Sequence, residues 1–227
     1  MTTARLRNGD MAEYKFGAVI FDMDGTLVDT ESVLLDCWED AALEMGYEFD
    51  HALMITTIGT TYAETMEIMR TAYPGAPHDE IRAGASSRFK KIREGGGLRL
   101  RPGVADTLKE IRGMGLPTGV CTSSRGSSAA ATLESVGILR QIDALVCGDD
   151  VESGKPDPEP YLKAAEKLGV DPGRCLAVED SPAGALSALS AGMTVAFVPD
   201  LATAPDELLR RVIVLESVRQ VPPMLII

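Results

Sequence analysis

Asp22 and Asp24 stand two residues apart in Phe21-Asp22-Met23-Asp24-Gly25-Thr26, directly behind the apolar run Ala18–Phe21. Two carboxylates two residues apart at the carboxyl end of a strand occupy the usual ligand crevice of an open α/β sheet. Gly25 permits the sharp turn the pair requires. Alone, the pattern is as readily a solvated acidic loop with an Asx-turn. Three other groups behave similarly. Thr122-Ser123-Ser124 can be an anion-binding helix start or a plain N-cap. Lys155, in the stiff segment Gly154-Lys155-Pro156-Asp157-Pro158, can be a held ammonium or a solvated side chain. Glu179-Asp180-Ser181-Pro182 can bind a cation or simply cap a helix.

The four groups gain meaning together, because each lies just beyond an expected strand and therefore at one edge of one sheet. Asp22, Asp24, Glu179 and Asp180 would crowd up to four negative charges there, which cannot all stay ionised without a cation. Oxygen-only ligands at that density suit Mg²⁺. Lys155 and the donors around Thr122 supply what a phosphoryl group demands. The expected chemistry is phosphoryl transfer.

The elements that must position these groups are short apolar runs without alternation: Ala18–Phe21, Thr118–Cys121, Ala144–Cys147, Cys175–Val178, Thr194–Val198 and Val212–Leu215. Such runs suit strands buried on both faces of a parallel sheet. Helical patterns separate them at Val104–Met114, Ser127–Val136, Pro158–Leu168 and Pro182–Ala191, followed by Gly115, Gly137, Gly169 and Gly192. The expected fold is α/β, a doubly wound Rossmann-like parallel sheet. Between Glu31 and Gly97 no strand is evident, only helices over Ser32–Met45, Tyr62–Ala72 and His78–Glu94. The expected organisation is a lead over 1–14, a core over 15–28 and 100–227, and a small inserted helical cap over 29–99, joined through linkers near Val28–Thr30 and Leu98–Pro102.

Composition narrows the function classes. Among 227 residues, 22 Lys and Arg against 34 Asp and Glu give a net charge of −12. That argues against nucleic acid or an anionic membrane as partner. No apolar run approaches the ~20 residues a spanning helix needs, and the start lacks a signal-peptide core. Cys37, Cys121, Cys147 and Cys175 form no CxxC pair, which argues against a zinc site and for reduced, buried thiols. A cytoplasmic protein is expected.

With these motifs in hand, the chain resembles the haloacid dehalogenase superfamily of hydrolases, from Phe16 to about Val214. DxDGT at Asp22–Thr26, Thr122, Lys155 and the acids Glu179-Asp180 match its four signatures in order. GKPDPEPY and VEDSPAG resemble the branch of phosphoglycolate phosphatase, β-phosphoglucomutase and sugar-phosphate phosphatases. The resemblance implies that Asp22 attacks phosphorus and forms an aspartyl-phosphate. It implies that Asp24 protonates the leaving oxygen and then activates water. Thr122, Ser123 and Lys155 would bind the phosphoryl oxygens, and Mg²⁺ would be held by Asp22, the Asp24 carbonyl and Asp180, with Glu179 assisting.

Asp24 argues against dehalogenation, since a halide leaves without a proton. In β-phosphoglucomutase, cap His, Arg and Lys groups would align with Leu34, Tyr62 and Ala85–Ser86, and none is matched. The expectation is therefore a Mg²⁺-dependent phosphatase acting on a small phosphorylated metabolite. The alternatives are a phosphosugar mutase and, behind it, a non-catalytic phosphate-binding protein. Cap residues expected to select the substrate are Thr30, Glu31, Gly59, Thr60, Thr61 and Tyr62, with Arg88 and Lys91 behind them. Trp38 reads as packing, and His51 and His78 lie outside the motifs.

Overall fold

In the computed structural model of the chain, residues 3–5, 11–57, 62–201 and 203–226 are described. The apolar runs become six parallel strands: β3 (Ala18–Phe21), β4 (Thr118–Cys121), β5 (Ala144–Val146), β6 (Cys175–Glu179), β7 (Thr194–Phe197) and β8 (Ile213–Val214). Their spatial order is β5-β4-β3-β6-β7-β8. This is the doubly wound order, whose direction of winding reverses between β3 and β6 and leaves a crevice outside their carboxyl ends.

Both faces of β3, β4 and β6 are buried, which explains their unbroken apolar runs, whereas the expected buried strand over Val212–Leu215 is an edge strand whose Ile213 and Val214 are exposed. Val19 and Phe21 of β3 join Leu176 and Val178 of β6 in one core, covered by α5 (Val104–Gly113) and α6 (Gly126–Ser135). Ala18 and Ile20 join Cys175 and Ala177 in the other, covered by α7 (Glu159–Leu168) and α8 (Pro182–Ser190). All four cysteines are buried and free.

Among the described residues, the interval from Glu31 to Gly97 holds α1 (Glu31–Glu44), α2 (His51–Ile55), α3 (Tyr62–Ala72) and α4 (His78–Glu94) and no strand. These helices bury their own cluster around Leu35, Trp38, Met54, Met66, Met69 and Ile81, so Trp38 is packing. The five-residue α2 is too short for a helical period to register, and begins where Asp50 accepts a hydrogen bond from the Ala52 amide. The two connections to the sheet run side by side: Asp29 N donates to Arg99 O, and Arg101 N to Leu27 O.

Within the expected lead two short segments pair. Thr3–Arg5 (β1) pairs antiparallel with Met11–Glu13 (β2), and Lys15 N donates to Leu225 O. Among the described residues no helix is long and apolar enough to cross a membrane.

Candidate active site

Register brings the motifs together. β3 and β6 pair so that Phe21 stands opposite Val178, and the Asp22 amide continues the ladder by donating to Val178 O at 2.9 Å. On the other side Phe21 stands opposite Val120, which places Thr122 one residue beyond the end of β4. Asp22, Asp24, Thr122, Ser123, Ser124 and Lys155 line one cavity of about 610 Å³, together with Glu31, Leu34 and Val151.

Lys155 is the hub of its buried side. Its Nζ donates to Asp22 Oδ1 at 2.5 Å, Glu179 Oε1 at 2.6 Å and Cys121 O at 3.0 Å, so all three ammonium protons are used. Burial opposes its charge, yet Asp22 and Glu179 hold its pKa well above the ordinary lysine value. Glu179 is also saturated. Oε1 receives the Tyr161 hydroxyl as well as Lys155, and Oε2 receives the amide and hydroxyl of Ser181. Glu179 can lie this deep because Gly184 faces it: a Cβ there would sit 1.8 Å from Glu179 Oε1.

Asp24 is held by three hydroxyls. Thr30 Oγ1 donates to its Oδ1 at 2.7 Å, while Thr122 Oγ1 and Ser124 Oγ donate to its Oδ2 at 3.0 and 2.9 Å. The expected phosphate ligand Thr122 is thus engaged by Asp24, and Ser123 lines the cavity. Ser124 is a cavity residue that sequence reasoning left unassigned, although the run Thr122-Ser123-Ser124 contained it.

Whether the acids suit a divalent cation is answered by their own chemistry. Oxygens of Asp22, Glu179 and Asp180 lie within 4.8 Å of one another. Asp180 Oδ1 accepts from Thr26 at 2.8 Å, but its buried Oδ2 has no hydrogen-bond partner. Burial, only partly opposed by Lys155, pushes Asp22 well above the usual carboxylate range, with Glu179, Asp180 and Asp24 adding to the rise. Burial, Glu179 and Glu31 do the same to Asp180. Three acids against one ammonium leave negative charge to be balanced, and carboxylate oxygens are what a hard dication binds. The residues fit such an ion.

Of the expected cap residues, Thr30 is buried against Asp24 and Glu31 reaches the cavity. Tyr62 is the first residue of α3; Gly59, Thr60 and Thr61 lie outside the described residues. Arg88 pairs instead with Glu44, and Lys91 is exposed on α4; neither lines the cavity. His51 contacts Glu39, and His78 Nε2 lies 3.0 Å from Tyr73 O, both within the helical unit.

The chain is similar to known proteins. The profile of the haloacid dehalogenase-like hydrolases matches residues 16–192. Validoxylamine A 7'-phosphate phosphatase of Streptomyces hygroscopicus subsp. limoneus is 30% identical, over 84% of this chain and 88% of its own. A phosphorylated carbohydrates phosphatase of Thermotoga maritima is 31% identical, over 78% and 82%. The crystal structure of a hydrolase from Deinococcus radiodurans R1, with bound phosphate and sodium, superposes with a TM-score of 0.78 at 25% identity, covering 94% of this chain and 99% of that one. With the motifs in order, at the crevice of a sheet that winds both ways, the chain belongs to the haloacid dehalogenase-like hydrolases.

Proposed function

We propose that the protein is a Mg²⁺-dependent phosphatase that hydrolyses a small phosphate monoester, a sugar phosphate or similar metabolite, through a phosphorylated Asp22. The observation that carries this reading is the pairing of Asp22 with the buried Lys155 ammonium at 2.5 Å, on the wall of a cavity at the winding reversal of the sheet. A nucleophilic carboxylate must stay ionised while an anionic phosphoryl group approaches, and a neighbouring cation serves both needs.

The steps follow from the side chains. Asp22 attacks phosphorus in line as the ester P–O bond breaks, and Asp24 delivers a proton to the leaving oxygen. Water then attacks the phosphorus of the acyl phosphate, Asp24 takes a proton from it, and Asp22 is released as carboxylate with inorganic phosphate. Lys155 stays protonated throughout and offsets charge on Asp22. Thr122 and Ser124 have a double use: a bound phosphoryl group competes with Asp24 for their hydroxyls. Substrate binding thereby loosens Asp24 towards the leaving oxygen while Thr30 keeps hold of Oδ1. Asp22, Asp180 and the Asp24 carbonyl would hold Mg²⁺, backed by Glu179. When bound, the ion offsets charge on the phosphoryl oxygens and keeps Asp22 ionised.

The helices over 29–99 act as a cap that selects the ester and excludes water. Leu34, which lines the cavity, offers no proton or charge, and Ala85 is sealed inside the helical cluster. Both favour hydrolysis over the mutase reaction, which must hold and turn a bisphosphorylated sugar. Turnover of p-nitrophenyl phosphate and of a panel of phosphoglycolate, hexose phosphates and nucleotides, ranked by kcat/KM with Mg²⁺, tests the proposal. Hydrolysis that needs Mg²⁺ supports it; no release of phosphate from any of them contradicts it.

A further inference from the structure

Beside the cluster of Asp22 lies a second group of acids. Glu31 opens α1, Asp180 follows β6 and Asp200 follows β7, and one carboxylate oxygen from each lies within 4.8 Å of the others. Every one of the three has an oxygen that is buried and has no hydrogen-bond partner: Glu31 Oε2, Asp180 Oδ2 and Asp200 Oδ2. The other oxygens of the two aspartates are provided for, Asp180 Oδ1 by Thr26 at 2.8 Å and Asp200 Oδ1 by Arg101 at 2.6 Å. Asp180 is 1% exposed and the Asp200 side chain 8%, so water does not serve these oxygens freely.

Gly25 shows that two of the free oxygens, those of Asp180 and Glu31, converge. A Cβ at Gly25 would stand 2.2 Å from Asp180 Oδ2 and 3.2 Å from Glu31 Oε2. Three acids that bring buried, unpartnered carboxylate oxygens close together repel, and Arg101 supplies a single positive charge to one of them. A dication, or the water it carries, satisfies all three at once, because Mg²⁺ keeps several waters that donate to nearby carboxylates.

We propose that Glu31 and Asp200 join Asp180 in holding the divalent cation, so that the cation site extends beyond the acids of the four motifs. This rests on the cation in the function proposed above, and it gives Glu31 an ionic role in place of the substrate contact expected for it. Because Glu31 begins the helical unit, the ion would also tie that unit to the sheet.

The test is cation affinity in the substrate-free full chain, with Mg²⁺ by calorimetry and Mn²⁺ by the loss of its free electron-spin resonance signal. Glu31→Gln and Asp200→Asn should each bind about 10- to 100-fold more weakly, the range for residues that support a metal. Glu44→Gln, an exposed acid on α1, should bind like the wild type. Glu31→Gln leaves the Arg101 pair intact, so it decides the matter even if Asp200→Asn folds poorly. A wild type that binds and a Glu31→Gln variant of equal affinity overturn this inference alone. A wild type that binds neither metal overturns the cation itself, and this inference with it.

Discussion

The hydroxyl of Tyr161 donates to Glu179 Oε1 at 2.7 Å, the same oxygen that receives Lys155 Nζ at 2.6 Å. Tyr161 is fully buried, and the ammonium stands 5.2 Å from its ring centroid. A line of contacts therefore runs from α7 through Glu179 and Lys155 to Asp22. Tyr161→Phe removes one donor from a buried charge without changing shape. The expected cost is about 1.5–3 kcal/mol of stability, read from the urea midpoint, together with a lower kcat. An unchanged midpoint and rate would mean that Lys155 and Ser181 suffice to fix Glu179.

Gly184 is a glycine inside a helix, where alanine ordinarily stabilises by about 0.5–1 kcal/mol. Here the sign should reverse, because the added Cβ would sit 1.8 Å from Glu179 Oε1. Gly184→Ala is expected to lose about 1–3 kcal/mol through overpacking and to lower kcat as Glu179 displaces Lys155. A more stable variant with wild-type turnover would contradict this account of the α8 contact.

Acid–base behaviour provides a check that needs no substrate. Burial, and then Asp22, Asp24, Asp200 and Glu179, push the Glu31 carboxyl up to about 8, whereas an unfolded glutamate titrates near 4.3. Between these values the folded, metal-free chain keeps a proton that the unfolded chain releases. That stability is complete below the unfolded value and lost as pH rises through the folded one. Asp22 and Asp180 shift in the same direction. In chelator, Tm should therefore fall between about pH 5 and pH 8, and Mg²⁺ should recover most at the alkaline end, where its ligands are ionised. A chelated Tm that is flat or rises over that range would contradict it.

Much of the fold was legible because its signals are local. Parallel strands covered on both sides must be apolar throughout, so Ala18–Phe21 and Cys175–Glu179 stood out within a residue of their ends. Strand ends also marked Asp22, Thr122 and Glu179-Asp180. What escaped depends on contacts between distant segments. Asp200, placed after β7, is drawn to the acids only by tertiary packing, and no motif marks it. Tyr161 lay in plain view in GKPDPEPY, but its value comes from Glu179, 18 residues away in sequence. Similarly, the hydroxyl of Thr122 turning to Asp24 spans 98 residues.

The proton role of Asp24 has its own signature. Asp24→Asn should slow turnover least for esters with acidic leaving groups such as p-nitrophenol, and most for alkyl phosphates, which need the proton. Measuring kcat/KM across a leaving-group series checks it; an equal loss for all would remove Asp24 as the acid.

Asp22→Asn should abolish turnover while leaving the thermal transition of the folded chain in place. Retained activity near that of the wild type would exclude Asp22 as nucleophile.

In the proposed mechanism the phosphoryl group is transferred twice, first to Asp22 and then to water. The stereochemical course at phosphorus, followed with a chiral thiophosphate ester in isotopically labelled water, distinguishes this route from a single displacement. Two in-line displacements predict net retention of configuration. Net inversion would mean that water attacks the ester in one step, and that Asp22 never carries the phosphoryl group.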